Sequence, residues 1–238
     1  MTFDNLKRPA LWSGVALATL GAAYWAPGVA AFSASLRHAL GIRDRLDDRR
    51  AVALTFDDGP HPEGTPAVLD LLEGAGVEAT FFLVGEQVER RPDLARSIAQ
   101  RGHAVGLHAY RHGALPRFGP WRLEKDTRRA AKVIRSATGV APRLARPPYG
   151  VFTVGDLIMA RRHGLRLVYW TRWGRDWEAD ASGGSIADLA SRDLCGGEII
   201  LLHDADHYAV PGSWRRTADA LPEILERLKR KGLVPVRL

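Results

Sequence analysis

Leu54-Thr55-Phe56-Asp57-Asp58-Gly59-Pro60 ends an apolar run with two adjacent carboxylates and a turn. Val52 to Phe56 reads as a strand, because its apolar stretch is short and bounded by Gly-Pro. Neighbouring side chains at a strand end point to different places, so the two acids can divide their labour, one holding a metal and the other taking a proton. The same residues also suit an inert turn in which Asp-Gly-Pro stops the strand and a carboxylate caps the next helix. Residues far downstream weigh against that reading.

His108-Ala109-Tyr110-Arg111-His112 follows a second apolar strand, Ala104 to Leu107, and spaces two imidazoles so that both can bind one ion. With one carboxylate this makes three protein ligands and leaves positions open for water and substrate, as catalytic rather than structural sites do. An HxxxH alone is more often an ordinary helical face. Ile199-Ile200-Leu201-Leu202-His203-Asp204 then delivers a histidine to a strand end, and Arg146-Pro147-Pro148-Tyr149-Gly150 and Asp176-Trp177 fall at or after strand ends too. The C-terminal ends of parallel strands are where chemistry collects in α/β folds.

Strands are predicted at Val52 to Phe56, Thr80 to Val84, Ala104 to Leu107, Leu144 to Arg146, Arg166 to Trp170, Ile199 to His203 and Leu233 to Arg237. Helical patterns lie between them, at Pro66 to Glu73, Asp93 to Gln100, Leu123 to Ala137 and Leu221 to Lys231, with glycine following at Gly74, Gly102, Gly139 and Gly232. This alternation argues for a parallel, barrel-like sheet. The 238 residues suit one domain with an appendage, and no internal repeat is visible.

Taken in order, the five stretches resemble the motifs of the polysaccharide deacetylase family, also called the NodB-homology or carbohydrate esterase family four domain. Thr65-Pro66, Ala79-Thr80-Phe81-Phe82 and Gly102-His103 resemble it as well, and the likeness spans about the last four fifths of the chain. It implies a distorted (β/α) barrel of about seven parallel strands and a metal-dependent N-deacetylase acting on acetylated amino sugars. By position, it implies that Asp58, His108 and His112 hold one divalent ion, with Zn²⁺ favoured and Co²⁺, Ni²⁺ or Mn²⁺ as alternatives. Asp57 would be the general base and His203 the general acid, oriented by Arg146 and Asp176 respectively. The Tyr149 backbone N–H would help hold the oxyanion, and Trp177 and Leu201 would line the pocket for the acetyl methyl. The chain departs from the family pattern at Ala109, where a hydroxyl residue is usual, at Gly113, where proline is usual, and at Trp173, near the place of an additional acid.

These roles are chemically sound. A bound divalent ion acidifies water and polarises a carbonyl, a carboxylate can complete the deprotonation, and an amine leaves well only when an acid such as imidazolium protonates it.

Pro9 to Leu36 is a run of 28 residues without a charge, which as a helix of about 1.5 Å per residue exceeds the roughly 30 Å of a bilayer core. Pro27-Gly28 interrupts it, and Trp12, Tyr24 and Trp25 suit an interface. An N-terminal hydrophobic helix serving as an uncleaved signal anchor over 1–36 is the favoured reading, with Lys7 and Arg8 cytoplasmic and the catalytic domain outside the cytoplasm. A cleaved export signal ending near Val29-Ala30-Ala31 and a helix packed on the domain are the alternatives. Residues 37–50 read as a basic tether and 51–238 as the catalytic domain.

The net charge of +7 is spread along the chain; it suits anionic lipid or wall polymer, whereas nucleic acid has no motif to support it. Cys195 is the single cysteine, excludes an internal disulfide, and is expected in buried packing. His61 and His103 read as turn or structural residues, and His207 as a rim residue. The leading function is removal of N-acetyl groups from a cell-envelope or extracellular amino-sugar polymer, above all peptidoglycan N-acetylglucosamine, by a monomer. A deacylase of a lipid-linked or formylated sugar, a chitin oligomer or an O-acetylated xylan is the second reading, and a non-catalytic sugar-binding envelope protein the third.

Overall fold

The computed structural model describes residues 21–113 and 120–238. A 3-10 turn, Ala26–Phe32, leads into α1 (Ala34–Ala39). There follow β1 (Ala51–Asp57), α2 (Gly64–Gly74), β2 (Thr80–Leu83), α3 (Gly85–Arg90), α4 (Pro92–Gln100), β3 (Ala104–Leu107), α5 (Pro120–Thr138) and β4 (Leu144–Ala145). The chain continues through α6 (Val154–His163), β5 (Arg166–Leu167), β6 (Arg172–Trp173), α7 (Gly183–Ser191), β7 (Ile199–His203), α8 (Ser213–Arg230) and β8 (Val234–Val236).

All the strand pairings are parallel, in the order β5-β4-β3-β2-β1-β7-β6, with β8 beside the start of β1. Every residue of β1 and β2 is buried, as expected of strands covered on both faces. Phe56 and Phe81 stack at 5.1 Å across that pair. The edge strands β5 and β6 do not pair with each other, so the sheet is a curled half-barrel with a seam. Each expected strand occurs, several of them shortened, and β6 is an addition. Because the strands run one way, Asp57, His108, Arg146 and His203 all reach the same rim.

Helices α3, α6 and α7 were not anticipated from periodicity. The α6 start carries a capping box, Thr153 with Asp156, that the sequence does display. Helix α8 begins at Ser213 rather than Leu221, burying Trp214, Thr217, Leu221, Ile224 and Leu228 on one face. Pro222 lies on its exposed side, where water can satisfy the carbonyl freed one turn earlier.

The stretch from Arg37 to Arg50 is not the tether expected of it. Arg43 N–H donates to Leu167 O, Tyr169 N–H donates to Arg43 O, and Leu46 N–H donates to Gly197 O, so this strap lies along the seam. Ile42 and Leu46 enter the core, and the charge of Arg37 is internalised by Asp44 at 2.7 Å. Apolar side chains interleaved with the charges find the open sheet edges, which covers backbone groups that would otherwise invite pairing. The first twenty residues of the N-terminal hydrophobic helix expected over 1–36 lie outside the described residues. Residues 21–25 are helical, and the helix gives way to the 3-10 turn at Ala26, with Pro27 in its first turn. Among the described residues, no helix is long and apolar enough to cross a membrane. Cys195 is exposed rather than packed.

Candidate active site

The rim is built from strand ends and sharp turns. Asp57 closes β1 and, in register, neighbours His203 at the end of β7. Asp58, Ala109, Tyr149 and Arg175 take φ values of 77°, 61°, 59° and 51°. A left-handed backbone costs a residue with a Cβ roughly 1–2 kcal/mol. Each of these four is an expected site residue or adjoins one, so the conformational cost is concentrated where it aims chemistry. Gly59 is required by crowding, since a Cβ there would lie 2.6 Å from Asp204 Oδ2.

Asp58, His108 and His112 converge. The Nε2 atoms of both imidazoles lie 3.3 Å from Asp58 Oδ1. His108 Nδ1 lies 2.8 Å from the Arg146 carbonyl, which can only accept, so Nδ1 carries the proton and Nε2 a lone pair. Asp58 Oδ1 is buried without a hydrogen-bond partner. Acceptor atoms facing one another in a buried spot are repulsive unless a cation lies between them. Ligands about 2.0–2.1 Å from a tetrahedral Zn²⁺ sit about 3.3 Å apart, so the three residues fit such an ion. The Arg146 carbonyl beneath His108 is the outer support a metal-binding imidazole normally has.

The electrostatics agree. Burial works to raise the Asp58 carboxyl, but the neighbouring imidazoles of His108, His203 and His112 outweigh it and hold the group well below the ordinary carboxylate range. Burial lowers His112 to about 4 against the pull of Asp58, which keeps the ring neutral and able to coordinate.

Two further pairs flank this trio. Arg146 is fully buried and donates from Nη1 to Asp57 Oδ1 at 2.7 Å and to Thr55 Oγ1 at 2.9 Å. On the other side, Asp176 Oδ1 lies 2.9 Å from His203 Nδ1, while its Oδ2 accepts from the His203 N–H and the Thr217 hydroxyl. Burial opposes a charge on His203, yet the Asp176 carboxylate overcomes it and raises the imidazole to about 10. His203 Nε2 is 4.0 Å from Asp58 Oδ2, so the acid-bearing ring borders the trio.

All seven of these side chains are brought to one place, and Tyr149, Trp177 and Leu201 line the same cavity, of about 420 Å³. Trp173, expected only as a departure from the family pattern, lines it too, as do Trp170 and Tyr208, which the sequence did not single out. Trp173 stands at its rim, 43% exposed. Tyr208 stacks on His112 at 4.2 Å and is tied down by Gln87 and Glu86. Its place five residues after His203 was the available signal.

Among the described residues a second cluster, His61, Asp206 and His207, also gathers potential ligands. Its hydrogen bonding marks it as a brace. His61 Nδ1 accepts the Glu63 and Gly64 N–H groups, so the proton is on Nε2, which donates to Asp206 Oδ1 at 3.1 Å. Asp206 Oδ2 accepts the Gly212 N–H, and His207 Nε2 lies 3.3 Å from the Pro60 carbonyl. The His61 tautomer is the reverse of the His108 one, leaving no lone pair for an ion.

Comparison with known proteins fits this geometry. The family model for polysaccharide deacetylase matches residues 44–168. A peptidoglycan-N-acetylglucosamine deacetylase of Bacillus cereus is 35% identical over 189 residues, covering 78% of this chain and 66% of that protein. A chitooligosaccharide deacetylase of Bradyrhizobium sp. is 36% identical over 193 residues, covering 77% of this chain and 86% of that protein. The crystal structure of the Bc1960 peptidoglycan N-acetylglucosamine deacetylase superposes with a TM-score of 0.79 at 31% identity, covering 87% of this chain and 94% of that one. The chain therefore spans just under two thirds of the first relative's length and most of the other two. With the family model matching more than half of its residues, the chain belongs to the polysaccharide deacetylase family.

Proposed function

We propose that this protein is a metal-dependent hydrolase that removes N-acetyl groups from the amino sugars of an envelope polymer, with peptidoglycan N-acetylglucosamine the leading substrate. The observation that carries the reading is the flanking of one Asp-His-His trio by a buried carboxylate–guanidinium pair on one side and an imidazole held by a buried carboxylate on the other. Bound by Asp58, His108 and His112, a divalent ion supplies Lewis acidity, polarising an amide carbonyl and acidifying water. Asp57, held by Arg146, takes the proton of the attacking water. His203, whose imidazole Asp176 raises to about 10, delivers a proton to the leaving amine. The Tyr149 N–H serves the developing oxyanion, and Trp177 and Leu201 enclose the acetyl methyl. Zn²⁺ is the favoured ion on its liking for mixed nitrogen and oxygen ligands.

The substrate assignment draws on the relatives' names, one of which points to peptidoglycan and another to chitooligosaccharides. The non-catalytic reading is disfavoured because every group the chemistry needs is present. A location outside the cytoplasm, with the uncharged run from Pro9 to Leu36 as an anchor, is part of the same proposal; it rests on hydropathy and on where peptidoglycan lies. Acetate release from peptidoglycan fragments and from chitooligosaccharides, with and without chelator, tests the function. Chelator-sensitive release from peptidoglycan supports it, and release from neither polymer by the metal-loaded protein would overturn it.

A further inference from the structure

Arg37 lies outside the stretch matched by the family model, yet it is only 9% exposed. Its guanidinium donates to Asp44 Oδ2 at 2.7 Å, to the Ala30 carbonyl at 2.8 Å and to the Ala31 carbonyl at 3.3 Å. That network fixes it 4.7 Å over the ring of Tyr169. Tyr169 is gripped twice more, its N–H donating to Arg43 O in the strap and its hydroxyl to Ala31 O in the preceding 3-10 turn.

Tyr169 in turn touches the active site in three ways. Its ring stacks on Trp170, a wall of the cavity, at 4.1 Å and 13°. Both rings press on Gly150, where a Cβ would come within 2.4 Å of Trp170 and 2.7 Å of Tyr169, so they set the height of the turn that presents Tyr149. The Tyr169 carbonyl also accepts from Arg146 Nη2 at 3.4 Å, behind the guanidinium that holds Asp57. A strap that served only to cover the sheet edge would need none of these contacts.

We infer that Arg37 is a positioning residue for deacetylation: it locks Tyr169, and through it the Trp170 wall, the Tyr149 turn and the back of Arg146. This rests on the reading of the cavity as a deacetylase site. The catalytic unit therefore includes the strap, and begins before Ala51.

The test uses the full chain loaded with Zn²⁺. Arg37→Ala, Arg37→Lys, Tyr169→Ala and the Arg37→Ala/Tyr169→Ala double variant are compared with Asp47→Ala, a control on the exposed side of the strap. The readouts are kcat and KM for acetate release, bound zinc, and the near-ultraviolet circular dichroism of the stacked aromatics. Arg37→Ala is expected to bind zinc as the parent does and to lose about tenfold or more in kcat, as small displacements of reacting groups do. Arg37→Lys recovers part of the loss at best, since an ammonium cannot serve Asp44 and two carbonyls in the guanidinium's planar arrangement. The double variant is no slower than Tyr169→Ala, because both changes break one chain of contacts. A folded Arg37→Ala with kcat within about twofold of the parent, or losses that multiply in the double variant, overturns the inference. If Arg37→Ala does not fold, Asp44→Ala loosens the same guanidinium and is judged by the same criteria. A parent that releases no acetate counts against the deacetylase reading alone; the aromatic spectrum then decides, and an Arg37→Ala spectrum identical to the parent's overturns the role of Arg37.

Discussion

Asp176 holds His203 at two points, accepting the backbone N–H at 2.7 Å on Oδ2 while Oδ1 lies 2.9 Å from the ring Nδ1. Ring rotation is thereby stopped, the Nδ1 proton is fixed, and Nε2 is left to face the substrate. The pair raises the imidazole from 6.5 to about 10, so its stabilising effect on the fold is complete below pH 6.5 and is lost as the pH rises through about 10. Turnover should fall over the same alkaline range as the general acid loses its proton. In Asp176→Asn the falling limb should move to lower pH and kcat should drop by about 10²–10⁴. A pH–rate profile of the two proteins checks this, and an unshifted limb would remove His203 from the acid role.

Removing the cation should leave Asp58 Oδ1 facing two imidazoles with no compensation. Zn²⁺ should therefore raise Tm, by an amount equivalent to about 2.7 kcal/mol at a hundredfold excess over Kd. Asp58→Ala should abolish both the shift and the binding. Because His112 protonates only near pH 4, metal retention should persist through mildly acidic buffers and fail around that pH. Calorimetry with and without metal gives the answer.

Asp57→Asn should separate ion binding from turnover. The amide keeps the size of the side chain but cannot take a proton, so kcat should fall by about 10²–10⁴ while bound zinc stays at the parent level. Turnover at the parent rate would dismiss Asp57 as the base.

Arg146 is a stability residue as well as a site residue. It is fully buried, pairs with Asp57, and has its guanidinium 4.2 Å from the centre of the Phe82 ring. Arg146→Ala strands the Asp57 carboxylate in the interior and should cost about 3–5 kcal/mol. Denaturant unfolding measures it. Lysine at this place cannot reach both Asp57 and Thr55 in the same plane, so it should restore little.

Much of this was legible in the sequence because strand ends announce themselves. Apolar runs that stop at Asp-Asp, at His and at His-Asp locate the rim, and a parallel sheet carries them to the same side. What was not legible depended on contacts between distant segments. The run from Arg37 to Arg50 looks solvated by its charges, and only the fold shows Asp44 neutralising Arg37 and two carbonyls accepting its N–H groups. Tyr208 and Trp170 are ordinary aromatics until His112 and Tyr169 are found beneath them. His61 and His207 have no ligand spacing along the chain, and their meeting through Asp206 is created by the loop ahead of α8. The short β6 was hidden because two residues give no periodicity to read.

The pairing of β7 with β1 joins a segment in the last third of the polypeptide to one in its first, and the two halves of the site, one complete by residue 112 and the other starting at residue 176, are each useless alone. The ions' grip comes from residues 58, 108 and 112, whereas the proton donor and its anchor come from residues 203 and 176. A chain still being threaded from a ribosome or a secretion channel has therefore no means of cutting an amide until nearly all of it has emerged. Onset of the activity is thereby tied by topology to completion of the molecule.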